Sequence, residues 1–375
     1  MRGTRLAITS VMILGLVACS GGASGSGDGG GTTTPAPTPV PTPTPTPSPT
    51  PTPAASAFTP APAAVATTGG TLRLGKCVNL SNMLEAPREG DWGRAFADAD
   101  IANIKAKGFT GIRLPARFSA HALAASPYTI DPAFMARVRH VVDLAVAADL
   151  SIIIDMHHYE ELFTDPSGHA DRFAEMWRQI GATFKDYPST VYFELINEPH
   201  DKFDASNLLA IQAPALAAVR ATNPTRLVVI DGPSWANLDV MLTTTFPADP
   251  NIVPTFHYYD PQNFGFDVAP WMTPSVRNDF GTAQDIADLN RVVGKLRGFI
   301  ASTGRVPFAG EYGAYEGRPD AARATYYGMV SAAFASAGVQ SCAWGYTNTM
   351  HLYRDGGWVP GVADAIVTTT TLPPR

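Results

Sequence analysis

A (β/α)8 barrel is the fold this sequence predicts from residue 70 onward, on three observations. Apolar, β-rich runs recur eight times, with helix-spaced stretches between them. Runs such as Ser151-Ile-Ile-Ile-Asp155 and Arg226-Leu-Val-Val-Ile230 are apolar on both faces, as parallel strands covered by helices must be. Polar residues gather at the C-terminal ends of these runs, the rim where barrel enzymes build their sites. A doubly wound open sheet is the alternative, but no Gly-rich phosphate loop after the first run recommends it.

Taken in order, the first strand is placed at 72–80, with Asn82 and Glu85 just after it. A helix at 97–107 leads to strand two, 111–115, which carries Arg113. The next helix, 132–148, opens with Asp131 as its N-cap and Pro132 at the first helical position. Strand three, 151–157, ends on His157-His158; a helix follows at 171–186. Strand four, 191–196, runs into Asn197 and Glu198, with a helix at 205–221. Strand five, 227–232, has only a weak helical partner, 235–242. Strand six, 252–257, ends at His257 and Tyr259, and a helix spans 285–302. Strand seven, 307–311, ends at Glu311; after a helix at 320–337, strand eight, 341–346, carries Trp344.

The ends of the chain read differently. Arg2 and Arg5 precede an apolar stretch, residues 6–18, too short to span a bilayer and shaped like a signal peptide. It closes as Leu16-Val17-Ala18-Cys19, a pattern resembling the lipobox of bacterial lipoproteins, in which the cysteine is acylated. Residues 1–19 are therefore expected to be a lipoprotein-type signal, with Cys19 as the membrane attachment. An ordinary secretory signal is the other reading. Ser20 after the cysteine, by resemblance to diderm lipoproteins, favours the outer membrane. Residues 20–69 form a linker, Gly/Ser/Thr-rich to 34 and then dominated by Pro-Thr and Pro-Ala pairs to 63. As a polyproline-II spacer at ~3.1 Å per residue the second stretch reaches on the order of 90 Å. The folded domain is expected at 70–375.

Composition narrows the class. With 45% hydrophobic and 16% charged residues there is material for a large core, and a net charge of −6 argues against nucleic acid as partner. Cys77 and Cys342 fall on the first and last strands, which are neighbours in a barrel. In an exported protein they can form a disulfide, or remain two small buried thiols.

Two short motifs carry the chemistry: Leu195-Ile196-Asn197-Glu198-Pro199 and Phe308-Ala309-Gly310-Glu311-Tyr312. Each places a carboxyl group directly after a buried strand. In one parallel barrel both face the same cleft, and two carboxyl groups across a cleft are what glycosidic bond cleavage requires. Retention of configuration needs them ~5 Å apart.

Gly-Ile-Arg113-Leu-Pro, Asp-Met-His157-His, Asn197-Glu198-Pro, His257-Tyr-Tyr259 and Gly-Glu311-Tyr resemble, in order and spacing, glycoside hydrolase family 5, the cellulase family of retaining barrel enzymes. The opening Asn79-Leu-Ser-Asn82-Met-Leu-Glu85 is similar to the first-strand segment of its endoglucanase and mannanase members. The resemblance covers residues 72–350. It implies Glu198 as acid/base and Glu311 as nucleophile in a double displacement. It also implies that Arg113 and Tyr259 hold Glu311 ionised, and that Asn197 meets the sugar 2-hydroxyl. His157 and His257 would bond the sugar or the carboxylates, Trp344 would stack on a pyranose ring, and Asn82 and Glu85 would reach a more distant sugar. Glu194, one strand repeat before the Asn-Glu pair, is read as a structural acid deeper in the barrel. His158 is assigned to packing, and Tyr312, Glu316 and Trp358 are placed provisionally along the cleft.

The expected activity is endo-cleavage of β-1,4-glucan, with mannan or another β-glucan as the neighbouring option. No cofactor and no metal are expected, and the partners are a polysaccharide and a membrane, in a monomer. A non-catalytic glycan-binding lipoprotein would be favoured by loss of either glutamate, and both are present. A metal-dependent hydrolase would use Asp155, His157 and His158 with a further His. Endo versus exo action is left to the loop around 262–272 with its Trp271.

Overall fold

The computed structural model describes residues 69–266, 277–348 and 350–369. The expected signal segment with Cys19, the linker to residue 68, and Trp271 lie outside the described residues. Eight parallel strands close into a barrel in chain order. They are β1 (Cys77–Asn79), β2 (Gly111–Ala116), β3 (Ser151–Met156), β4 (Val191–Glu194), β5 (Val228–Asp231), β6 (Ile252–Tyr258), β7 (Phe308–Tyr312) and β8 (Gln340–Ala343). β1 closes the ring, with Cys77 opposite Gly111 on one side and Cys342 on the other. Because every pair is parallel, all eight C-terminal ends share one rim.

Helices cover the outside. They are α1 (Ala99–Lys107), α2 (Pro132–Ala147), α3 (Glu160–Thr164), α4 (Pro166–Thr183), α5 (Leu208–Arg220), the short turns α6 (Pro233–Ala236) and α7 (Leu238–Met241), α8 (Gln262–Gly265), α9 (Ala283–Thr303), α10 (Asp320–Ser336) and α11 (Val362–Thr368). Their apolar stripes bury against strands whose outward side chains are Val, Ile and Leu, so most strands are buried on both faces. Asp131 caps α2 as the sequence predicts, its carboxylate accepting the Ala133 N–H at 2.8 Å.

Among the boundaries that differ from the sequence reading, three change the local picture most. β1 is far shorter than 72–80, because Leu72 and Leu74 plug the barrel floor instead of pairing along β2. β8 ends at Ala343, so Trp344 follows the strand instead of lying on it. The weak helix at 235–242 is two turns, the first carrying Ser234, Trp235 and Ala236 in left-handed backbone at φ 63°, 57° and 51°.

Strand alternation sets the composition of the barrel interior. The lower layer is apolar: Cys77, Ile153, Tyr192, Val229, Val253, Phe308 and Cys342, beneath which sit Leu72 and Leu74. Two residues further along the same strands the layer turns polar, with Asn79, Asp155, Glu194, Asp231 and Thr255, all buried. Cys77 and Cys342, with Cα atoms 4.3 Å apart, are joined by a disulfide across 265 positions.

Candidate active site

Arg113 stands at the centre of the polar layer with no exposed surface. Its guanidinium meets Glu194 twice, Nε and Nη2 each 2.7 Å from a carboxylate oxygen. Nη1 donates to Asn79 at 3.0 Å and to Glu311 at 2.8 Å. Nη2 also reaches Asn197 Oδ1 at 2.8 Å and Asp155 at 3.0 Å. Glu194 thus has the structural place the sequence suggested, deep in the barrel and paired.

Glu311 follows from a break in β7's alternation. Phe308 faces inward, so a regular strand would turn residue 310 inward and residue 311 outward. The pairing with β6 shifts by one residue, Phe256 facing Ala309 but His257 facing Glu311, and the bulge returns Glu311 to the cleft. Gly310 permits this. A Cβ there would meet His257 Nε2 at 2.8 Å and Thr255 Oγ1 at 3.0 Å. Glu311 accepts from Arg113 through Oε1 and from the Tyr259 hydroxyl at 2.7 Å through Oε2. Burial raises its carboxyl above the ordinary range, while His257, Arg113 and the Tyr259 hydroxyl pull it back down.

Glu198 sits just past β4 in left-handed backbone, φ 47°, and its N–H is taken by Asp231 Oδ2 at 2.9 Å. Its Oε1 lies 2.7 Å from His257 Nδ1. A quarter of the side chain opens to the cleft, yet enclosure pushes its pKa up to about 7, against Arg113 and His200. Glu198, His257 and Glu311 each bring one donor atom to within 4.8 Å of the other two. The two carboxyl groups therefore face each other across the gap the sequence argument required.

The remaining residues frame that gap. His157 is buried, its Nδ1 2.6 Å from Asp155, and its ring lies parallel to the Trp344 indole at 5.4 Å. Burial keeps both His157 and His257 neutral, the latter lowered to about 4. Trp344 is half-buried, with its carbonyl held by the Tyr327 hydroxyl at 2.6 Å. Asn197 offers its oxygen to Arg113, which leaves the amide nitrogen for other partners.

Some expectations are corrected. Glu85 is 1% exposed and bonds the backbone N–H groups of Asn82 and Met83, so it holds its own loop instead of presenting an acceptor to sugar. Burial raises it to about 7. Asn82 sits in left-handed backbone with its Oδ1 buried and unpartnered. Tyr312 is wholly buried against Tyr327 and Phe334, and Trp358 packs on Phe109, beside the start of β2 and away from the rim. Glu316 pairs with His351. The trio Asp155, His157 and His158 does not converge: His157 Nδ1 serves Asp155, whereas His158 Nδ1 turns toward Glu160 at 3.7 Å. Among the described residues the donor groups that do converge are Glu194–Asp231–His257 and Glu198–His257–Glu311.

Sequence reasoning missed Asn79, Asp231, Trp92 and Trp235. Asp231 carried a usable signal, since it ends an apolar strand as His157 and Glu311 do. Trp92 lies edge-on to His158 at 5.3 Å, and the half-exposed Trp235 stacks on His200 at 5.0 Å.

A model of the cellulase family, glycosyl hydrolase family 5, matches residues 74–349. Endoglucanase H of Acetivibrio thermocellus is 32% identical over 272 residues, 72% of this chain and 29% of that one. Endoglucanase B of Clostridium cellulovorans is 27% identical over 260 residues, covering 63% and 58%. The chain thus spans well under two thirds of these relatives' lengths. Among solved structures, an endoglucanase superposes with a TM-score of 0.76 at 34% identity, over 79% of this chain and 97% of the other. Thermotoga maritima Cel5A in complex with mannotriose superposes at 0.74 with 29% identity, over 78% and 97%.

Proposed function

The chain belongs to glycosyl hydrolase family 5, the cellulase family, and on that premise we propose that it cleaves β-1,4-glucan internally with retention of configuration. Glu198 serves as the acid/base and Glu311 as the nucleophile. The observation that carries this reading is the separation of their oxygens, within 4.8 Å, which falls with the ~5 Å spacing of direct attack by a carboxylate and below the wider spacing that attack by an intervening water requires.

The steps follow from the neighbours. Glu311, held by Arg113 and Tyr259, attacks the anomeric carbon as Glu198 protonates the departing oxygen. A glycosyl ester forms on Glu311, and the ring oxygen shares the positive charge in passing. Glu198, now ionised, takes a proton from water, which attacks the same carbon and frees Glu311. The Asn197 amide nitrogen, left uncommitted by the Arg113 contact to Oδ1, donates to the sugar 2-hydroxyl. Trp344, fixed flat by His157, gives a sugar ring an apolar face.

Glu198→Ala and Glu311→Ala are each expected to lower kcat on β-glucan by at least about a thousandfold while folding and glycan binding persist. NMR of the first product should show the β-anomer; an α-anomer would rule out the two-step route. Because Glu198 must be protonated to act, and its pKa is raised to about 7, kcat/KM should fall as pH rises through that region.

Mannan is the second substrate reading, favoured by the mannotriose complex of the Thermotoga relative. Initial rates on matched glucan and mannan oligosaccharides decide between them. The expected lipobox and Pro/Thr-rich linker support an exported enzyme tethered by Cys19 and acting on glycan near the membrane. Loss of membrane fractionation in Cys19→Ser tests the tether.

A further inference from the structure

Asp231 ends β5 directly beneath Glu198, has no exposed surface, and takes no part in the mechanism above. We propose that Asp231 is a positioning residue for the acid/base, holding the Glu198 backbone through Oδ2 and setting the tautomer of His257 through Oδ1. This rests on Glu198 being the proton donor.

The backbone half of the argument is direct. Glu198 is a non-glycine residue in left-handed conformation, which persists only where the surroundings impose it. The Asp231 oxygen on its N–H, at 2.9 Å, supplies that constraint.

The second half comes from two buried atoms without partners, His257 Nε2 and Asp231 Oδ1. One carboxylate oxygen of Glu194, one of Asp231 and one ring nitrogen of His257 lie within 4.8 Å of one another. Both Glu194 oxygens already accept from Arg113, and His257 Nδ1 is engaged by Glu198. The unused acceptor and the unused ring nitrogen are therefore Asp231 Oδ1 and His257 Nε2. Leaving both unsatisfied is costly, and a hydrogen bond between them would satisfy both.

The consequence reaches the reaction. Burial and Glu194 raise the Asp231 carboxyl well above the usual range, while Arg113 and the Glu198 N–H oppose them. In its ionised form Asp231 takes the proton of Nε2, so that Nδ1 is bare and accepts the O–H of Glu198, which favours the protonated acid. The opposite tautomer would donate from Nδ1 and favour the carboxylate. Arg113 from β2, Asp155 and His157 from β3 and its end, Glu194 and His200 from β4 and the loop after it, Tyr259 after β6 and Glu311 from β7 are the other titratable or charged groups facing this trio. All stay in place when only Asp231 is changed.

The test uses the full chain with cellotetraose and with aryl β-cellobiosides. Asp231→Asn keeps an oxygen for the Glu198 N–H but turns an amide donor to His257 Nε2, imposing the Nδ1–H tautomer. Its basic limb of kcat/KM should move down by about one pH unit or more, with KM within about threefold. Asp231→Ala should lose about a hundredfold in kcat on cellotetraose, and much less on 2,4-dinitrophenyl cellobioside, whose leaving group needs no proton. An unmoved basic limb in the Asn variant, or full kcat in the Ala variant, overturns the proposal. So does an Asn variant that fails to fold, since the carboxylate would then be needed for stability instead. Glu198→Ala on the same two substrates separates the failures: without leaving-group dependence there, the acid/base assignment itself is wrong.

Discussion

Arg113 faces carboxylates from Asp155, Glu194 and Glu311 in the closed interior, one cation among three acids. Its planar fork serves Glu194 with two bonds while the remaining N–H groups reach Glu311, Asn79 and Asn197. The shortage of positive charge has a visible effect: burial, with Glu194 and Glu311 adding to it, lifts Asp155 well above the usual carboxylate range. A lysine carries the same charge but cannot form these bonds together. Arg113→Lys should therefore lower stability by about 3 kcal/mol or more, read from the urea midpoint, and lower kcat by at least about a hundredfold. A variant with unchanged midpoint would show that the carboxylates are neutral enough to need no fork.

At the scale of elements, the register shift in β7 decides where the second carboxylate points. The motif Gly310-Glu311 reads as a strand end, but periodicity places Glu311 on the outer face when counted from Phe308. Only the bulge against β6 reverses that. Gly310→Ala would press its new Cβ against the His257 ring and Thr255. The ring is fixed between Glu198 and Glu311, so it cannot retreat freely. The expected outcome is a loss of about 1–3 kcal/mol in stability and at least about tenfold in kcat, checked by thermal melting and steady-state kinetics. Wild-type kinetics would mean that the bulge has slack.

For the whole molecule, closure of the barrel brings residues from both ends of the domain into contact. The Cys77–Cys342 disulfide ties β1 to β8 across 265 positions, in the apolar floor and away from the catalytic rim. Loop-closure entropy for so long a loop makes the bridge worth on the order of 3–5 kcal/mol. The double variant Cys77→Ala with Cys342→Ala should melt about 5–10 °C lower and keep its kcat at 25 °C. A melting point unchanged under oxidising conditions would contradict the link.

The sequence by itself determined the architecture, the eight strands and the rim on which Glu198 and Glu311 lie, because strand alternation and the position after a buried run are local properties of the chain. It also exposed Arg113, His157, Asn197, His257 and Tyr259, each attached to such a run. Only the tertiary structure decided what depends on distance between strands. That includes the turning of Glu85 onto its own loop, the inward return of Glu311 at Gly310, the bridge between Cys77 and Cys342, and the placement of Asp231 under Glu198. The reason is physical: periodicity reports which face a side chain takes, whereas hydrogen-bond partners are set by closure, register and bulges, which no single segment contains.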